Sequence, residues 1–309
     1  KSAGDVNGDG KEDIIIGLPG FDNGQVDEGV AMVRYGSTGI SVLPDWFAEG
    51  NAKFIYFGYD VSGAGDVNGD GYDDVMVSTP VLSPSGGVKN GKVFVYYGSS
   101  SGLPSSPSWT GTVNQSYAYF GASIAKAGDV NFDGYDDIII GAPQYDDGET
   151  DEGGVFIFSG SSAGLSSTPS WTAEGNQTNA RFGTSVAFAG DANADTYSDV
   201  LIGVPLYDNG ETDEGIAALF FGGATGPDTT SDWIGEMNQA DARFGFSVSS
   251  AEDLNADGYS DAVIGAPLYD NGELDEGGAF AYYGSSTGLS SSPNWSSEGN
   301  QLFGWYGFS

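Results

Sequence analysis

Short apolar runs separated by Gly, Asp and Ser clusters recur along the whole chain, and no stretch carries an extended helical period. Aligning the recurrences gives a unit of about 62 residues, repeated five times, with four short strands in each. The third copy shows the order. Phe120-Gly121 opens a first strand through Ser123-Ile124-Ala125, and an acidic turn from Asp129 to Asp137 reverses it. A second strand, Ile138-Ile139-Ile140, closes at Gly141-Ala142-Pro143. An acidic loop from Tyr145 to Glu152 leads to a third strand, Val155–Phe158, and a Ser/Gly-rich turn leads to an outer fourth around Pro169-Ser170-Trp171. An unbroken Ile run suits a strand covered on both faces. Four strands per unit is the content of one β-propeller blade, so the pattern predicts an all-β chain of antiparallel, four-stranded blades.

Phe-Gly recurs at Phe57-Gly58, Phe182-Gly183 and Phe244-Gly245, and Tyr306-Gly307 keeps the phase at the end of the sequence. Trp46, Trp109, Trp171, Trp233 and Trp295 are also in register. Repetition in every unit favours packing between blades over a sugar-stacking role at one selective site. Tyr306–Ser309 reads as the first half of a first strand and Lys1–Asp5 as its second half. The expectation is a single propeller domain over 1–309 whose first strand is split between the two ends. A piece of a longer repeat run, or a subunit completing its neighbour, fits the same seam.

The acidic turns add chemistry. Each follows Asp-x-Asn-x-Asp-x-x-x-Asp, with Gly at the sixth position in four of the five, at a spacing of 61 to 63 residues. Calcium takes six to eight oxygens, and a short loop supplies them when alternate side chains turn inward and one main-chain carbonyl joins. The candidate ligands of the first loop are Asp5, Asn7, Asp9 and Asp13, with the main-chain oxygen of Lys11. Those of the second are Asp66, Asn68, Asp70 and Asp74, with the carbonyl of Tyr72. The third has Asp129, Asn131, Asp133 and Asp137, with Tyr135; the fourth Asp191, Asn193, Asp195 and Asp199, with Tyr197; the fifth Asp253, Asn255, Asp257 and Asp261, with Tyr259. About five calcium ions, one per repeat, are expected. Magnesium suits the loops less, because it demands a tight octahedron and keeps its waters. The loop resembles the start of an EF-hand, but a strand follows at once and no twelfth-position Glu appears. The sixth position is Gly10, Gly71, Gly134 and Gly258, but Thr196 in the fourth copy. A β-branched residue there strains the left-handed turn, so the Asp191 site is expected to bind weakest.

Taken together, Phe-Gly, the acidic nonapeptide and Gly-Ala-Pro resemble FG-GAP repeats, the calcium-binding blades of integrin α-subunit propellers and of many microbial surface proteins. Gly-Ala-Pro is complete at Gly141 and Gly265; Gly17-Leu18-Pro19, Ser78-Thr79-Pro80 and Gly203-Val204-Pro205 are variants. Such propellers commonly have seven blades, against five units here. The resemblance implies a calcium-stabilised fold and ligand-binding loops on the face opposite the calcium hairpins. A second acidic repeat falls there: Asp22-Asn23-Gly24 with Asp27-Glu28, then Asp146–Glu152, Asp208–Glu214 and Asp270–Glu276, with Ser83-Pro84-Ser85-Gly86-Gly87 in the second copy. It reads either as a solvated turn or as an acidic binding rim.

Composition narrows the partners. Nine Lys plus Arg stand against 44 Asp plus Glu, a formal charge of -35, which argues against nucleic acid and anionic membranes. With no His and no Cys, imidazole bases, thiolates, disulfides and the usual zinc or copper sites are excluded. No apolar run approaches the roughly 20 residues of a membrane helix. Low-affinity calcium loops fit an extracellular or cell-surface location. Asn-x-Ser/Thr tripeptides at Asn114, Asn176 and Asn294 are candidate glycosylation sites. The leading expectation is a non-catalytic adhesion or ligand-binding module with an extracellular protein or glycan ligand. The alternatives are a structural subunit of a filament, sheath or surface layer, partnered by copies of itself, and a polysaccharide-active propeller enzyme.

Overall fold

The computed structural model describes residues 1–36, 43–80 and 90–309. Among them are five four-stranded sheets, each built from strands consecutive in sequence and paired in sequence order. In the third blade the strands are Ser123–Gly128, Asp137–Ala142, Gly154–Phe158 and Trp171–Glu174. The other blades repeat that order, and their strands pair antiparallel. The sequence pattern placed the inner strands well. The outer strand differs: it begins at the Trp and continues for three or four residues instead of ending there.

By contacts the chain forms two compact units. One comprises 1–126, 133–140 and 157–170; the other comprises 127–132, 141–156 and 171–309. Second strands are wholly buried in blades two, three and four, as expected for strands covered on both faces. In blade one Ile14 and Ile16 are exposed, whereas their counterparts Ile138 and Ile140 are buried.

The two glycine motifs meet each other. A Cβ on Gly141 would stand 2.1 Å from the carbonyl oxygen of Gly183, and one on Gly17 2.2 Å from that of Gly58. Gly203 with Gly245, and Gly265 with Gly307, repeat the contact. In four blades the Gly of Gly-Ala-Pro is therefore the landing point for the Phe-Gly of the next, where a Cβ would run into the backbone; in the second blade Ser78 stands against Gly121 instead. Phe-Gly lies in the turn before the first strand, not within it.

The tryptophans complete the packing between blades. Trp46 meets Tyr96 edge-on at 4.8 Å, Trp109 meets Phe158 at 5.0 Å, Trp171 meets Phe220 at 5.2 Å and Trp233 meets Tyr282 at 5.1 Å. Each also donates its indole N–H to a carbonyl of the following blade, on Pro104, Ser166, Asp228 and Ser290, at 2.8–3.1 Å. Burying the ring and satisfying the N–H together explains why Trp holds this position. Trp295 is 50% exposed. Tyr306 bridges to Gly277, which seats the end of the chain on blade five.

Candidate metal centres and acidic loops

Each acidic nonapeptide forms the hairpin between the first and second strands of its blade. The first-position carboxylate organises it. Asp5 accepts the N–H of Asp9 on Oδ1 at 3.0 Å and that of Gly10 on Oδ2 at 2.8 Å. Asn7 Oδ1 accepts the same Asp9 N–H at 2.9 Å, and Asp9 Oδ1 accepts the Lys11 N–H at 3.0 Å. Asp66, Asn68 and Asp70 make the matching bonds in the second hairpin. Asp191, Asn193 and Asp195 do so in the fourth, and Asp253, Asn255 and Asp257 in the fifth. In the third, Asp133 Oδ1 accepts the Tyr135 N–H at 3.1 Å. Such side-chain-to-backbone turns form because Asx oxygens replace main-chain acceptors where the chain reverses tightly. The sixth position is left-handed throughout, with φ of 80° at Gly10, 88° at Gly71, 91° at Gly134 and Gly258, and 81° at Thr196.

The ninth position differs in kind. Asp13, Asp74, Asp137, Asp199 and Asp261 begin the second strands and are buried. Asp74 accepts N–H groups from Val67 at 3.1 Å and Gly98 at 2.8 Å; Asp199 accepts from Ala192 and Gly222 at 2.8 and 3.0 Å. Asp13 and Asp261 have equivalent pairs of donors. Burial pushes Asp74 up to about 8 and Asp199 to about 7, against the pull of those N–H donors; the carboxylates of Asp70 and Asp66, and of Asp195 and Asp191, add to the rise. Asp13 is raised for the same reasons.

Among the described residues no three acidic side chains are gathered into an ion cage as they stand, because the loop oxygens close on main-chain N–H groups. The donor set nevertheless fits a hard cation. It is all oxygen, every carboxylate oxygen that accepts one N–H keeps a second lone pair, and the buried ninth carboxylate faces charges of its own sign. Side chains of positions one, three, five and nine would hold the ion, with the carbonyl of position seven.

At the other end of the strands, the loops between second and third strands have a shared internal frame. Glu28, Glu152, Glu214 and Glu276 are buried, and each Oε1 accepts two N–H groups of its own loop, those of Asn23 and Gln25 at 2.6 and 3.2 Å in blade one. The first Asp of the loop accepts the N–H five residues on, as Asp22 does from Asp27 at 2.7 Å. These glutamates are structural caps, and the aspartates are what the loops present to solvent. Burial of the Glu was not readable from a turn-like sequence. The second copy's 83–87 segment lies outside the described residues.

Beyond the loop, Asn23, Asn209 and Asn271 donate to Glu49, Glu236 and Glu298 of the outer strand. Blade three has Asp147 in that position. Glu174 is accordingly raised, by its partial burial first and then by the charges of Asp147 and Glu152. A cavity of about 370 Å³ lies against this pair, walled by Tyr145 and Phe156, with Thr172, Asn176 and Thr229. Asn114, Asn176 and Asn294 are all exposed.

The FG-GAP repeat model matches residues 2–31, 57–96, 120–158, 182–220 and 244–283, one segment per blade. The chain is 35% identical to integrin alpha-5 of Xenopus laevis over 210 residues, which is 65% of this chain and 19% of that protein. It is 34% identical to integrin alpha-8 of Mus musculus over 211 residues, again 65% of this chain and 19% of that protein. The chain thus spans about a fifth of the length of these relatives. Among solved structures, the exotype rhamnogalacturonan lyase YesX is similar at a TM-score of 0.47 and 12% identity, covering 98% of this chain and 66% of that one; a likeness of that size bears on neither fold nor activity. The matched segments together make up more than half of the sequence and coincide with the five sheets, so the chain belongs to the FG-GAP repeat family.

Proposed function

We propose that this chain is a calcium-stabilised, non-catalytic binding module that works outside the cell or at its surface. One observation carries the calcium part: in blade after blade a fully buried aspartate shares its hairpin with two more carboxylates, at the same loop positions each time. A buried anion surrounded by like charge is costly, and a divalent cation reverses the sign of that cost. Each ion that binds the folded form alone adds about 2.7 kcal/mol at a hundredfold excess over its Kd.

The binding role draws support from the similarity to integrin alpha chains, and from the exposed aspartates at the strand ends opposite the metal hairpins. Without His or Cys, catalysis would have to rest on a carboxylate pair with separated pKa values. No helix among the described residues is long and apolar enough to cross a membrane. The partner is a protein or glycan of the extracellular space.

The test is to immobilise the chain in millimolar calcium and pass arrays of matrix proteins and glycans over it, with and without chelator. Saturable binding lost on chelation supports the reading. Ordered self-assembly with no ligand retained would replace it with that of a structural subunit, and cleavage of a polysaccharide would replace it with an enzyme.

A further inference from the structure

Successive metal hairpins are bonded to one another, always in the same sense. Asp73, the eighth residue of the second hairpin, accepts the main-chain N–H of Asp5 on Oδ2 at 2.7 Å and donates its own N–H to the Asp5 carbonyl at 3.2 Å. Asp136 in the third hairpin makes both bonds to Asp66, at 2.9 and 3.2 Å. Ser260 in the fifth makes them to Asp191, its hydroxyl oxygen accepting at 3.1 Å and its N–H donating at 3.0 Å. Ser198 in the fourth donates its N–H to the Asp129 carbonyl at 3.1 Å.

A second contact runs beside the first. A Cβ on Gly8 would stand 2.6 Å from Cε1 of Tyr72, and one on Gly69 2.6 Å from Cε1 of Tyr135. The seventh-position ring thus lies against the fourth position of the preceding hairpin. Where that position is Phe132, the ring of Tyr197 meets it edge-on at 5.8 Å.

Position one supplies the first candidate ligand of a hairpin, and positions seven and nine supply the last two. Residue eight lies between those two, so whatever fixes them fixes it. We propose that the eighth-position residue is a positioning residue through which calcium binding in one hairpin favours calcium binding in the hairpin before it. Filling the second hairpin locks Tyr72, Asp73 and Asp74, and Asp73 then holds the backbone of Asp5 in its ligating position. By linkage the first hairpin returns the same factor to the second. Asp73 need touch no ion to do this.

The inference rests on the calcium reading above, and the test separates the two. Calcium is titrated calorimetrically into the metal-stripped 309-residue chain carrying D70N, which disables the second hairpin, alone and combined with D73A or D73S. D70N is expected to remove one ion and to weaken two others by about tenfold each, the first hairpin through Asp73 and, by linkage, the third through Asp136, within the usual range of coupling between sites. D73A alone weakens the first hairpin with the ion count unchanged, and adding D70N then removes one ion and weakens only the third hairpin, whose contact through Asp136 is intact. D73S keeps the acceptor, as Ser260 does, and behaves as wild type. A purely structural role for Asp73 would lower the melting temperature and leave the isotherm alone. D133N with D136A repeats the experiment one blade on, should D73A fail to fold. A D70N isotherm that loses one ion and is otherwise unchanged overturns the coupling; a wild-type chain that takes up no calcium overturns the calcium reading instead.

Discussion

Thr196 donates its main-chain N–H to Asp191 Oδ2 at 2.8 Å from a left-handed backbone with φ of 81°. The hairpin keeps its Asx geometry there although its sixth residue is β-branched. The other four hairpins have Gly in the same conformation, and nothing within 4 Å would meet a Cβ at any of them. The strain in the fourth hairpin is therefore one of backbone conformation alone, worth about 1–2 kcal/mol. Thr196→Gly should tighten calcium at this hairpin by roughly fivefold, about 1 kcal/mol, and raise the melting temperature. Equal calcium affinity for wild type and variant would show that the strain is absorbed elsewhere.

The tryptophan positions are not equivalent. Trp171 is 7% exposed, meets Phe220 edge-on and bonds to the Asp228 carbonyl; Trp295 is half exposed. Trp171→Ala should cost about 3–5 kcal/mol in urea unfolding, the usual loss for a buried aromatic. Trp295→Ala should cost well under half as much. Similar losses at both positions would mean that Trp295 is covered in solution.

Replacing Asp147 by Asn restores the side chain that blades one, four and five use toward the outer-strand Glu. Glu174 has its pKa raised in the folded chain, so its contribution to stability is present below the ordinary Glu pKa and fades as pH rises through the raised value. Asp147→Asn removes part of that loss and adds a donor. A gain of about 0.5 kcal/mol is expected at pH 7, held down by solvent screening, with little or none at pH 4. A gain independent of pH would assign the effect to packing.

The repeat itself was plain in the sequence, because glycine pairs, apolar runs and acidic turns all recur at one spacing and each enforces a local geometry. Phe-Gly and Gly-Ala-Pro were visible as motifs, but their purpose was not: Gly141 and Gly183 explain each other only when one blade is laid on the next. The same holds for Asp73, whose partner is 68 residues away. Read along the chain, it is one more acid in an acidic turn. Glu152 and its counterparts misled in the opposite direction, since a glutamate in an Asp-Gly loop reads as solvated while its oxygen caps the loop from inside. Motifs mark the positions that recur in every blade, and do not by themselves say which neighbour each one meets.

Calcium should invert the pH dependence of stability. In the metal-stripped chain Asp74, pushed up to about 8, and Asp199, pushed to about 7, hold protons that the unfolded chain releases near pH 4. The folded state then binds more protons than the unfolded one between pH 4 and 8, so stability falls as pH rises across that window. With calcium bound, the same carboxylates are held ionised by the cation and their pKa values drop below the unfolded value. Stability is then full at neutral pH and is lost on acidification, as protons displace the ion. Thermal melts from pH 4 to 8 should therefore slope downward in chelator and upward in millimolar calcium, the two curves converging at the acid end. Asp74→Asn removes one of the raised groups and should flatten the chelator curve while lowering the calcium-bound plateau. Parallel curves with and without calcium would mean that these buried aspartates are not where the ions bind.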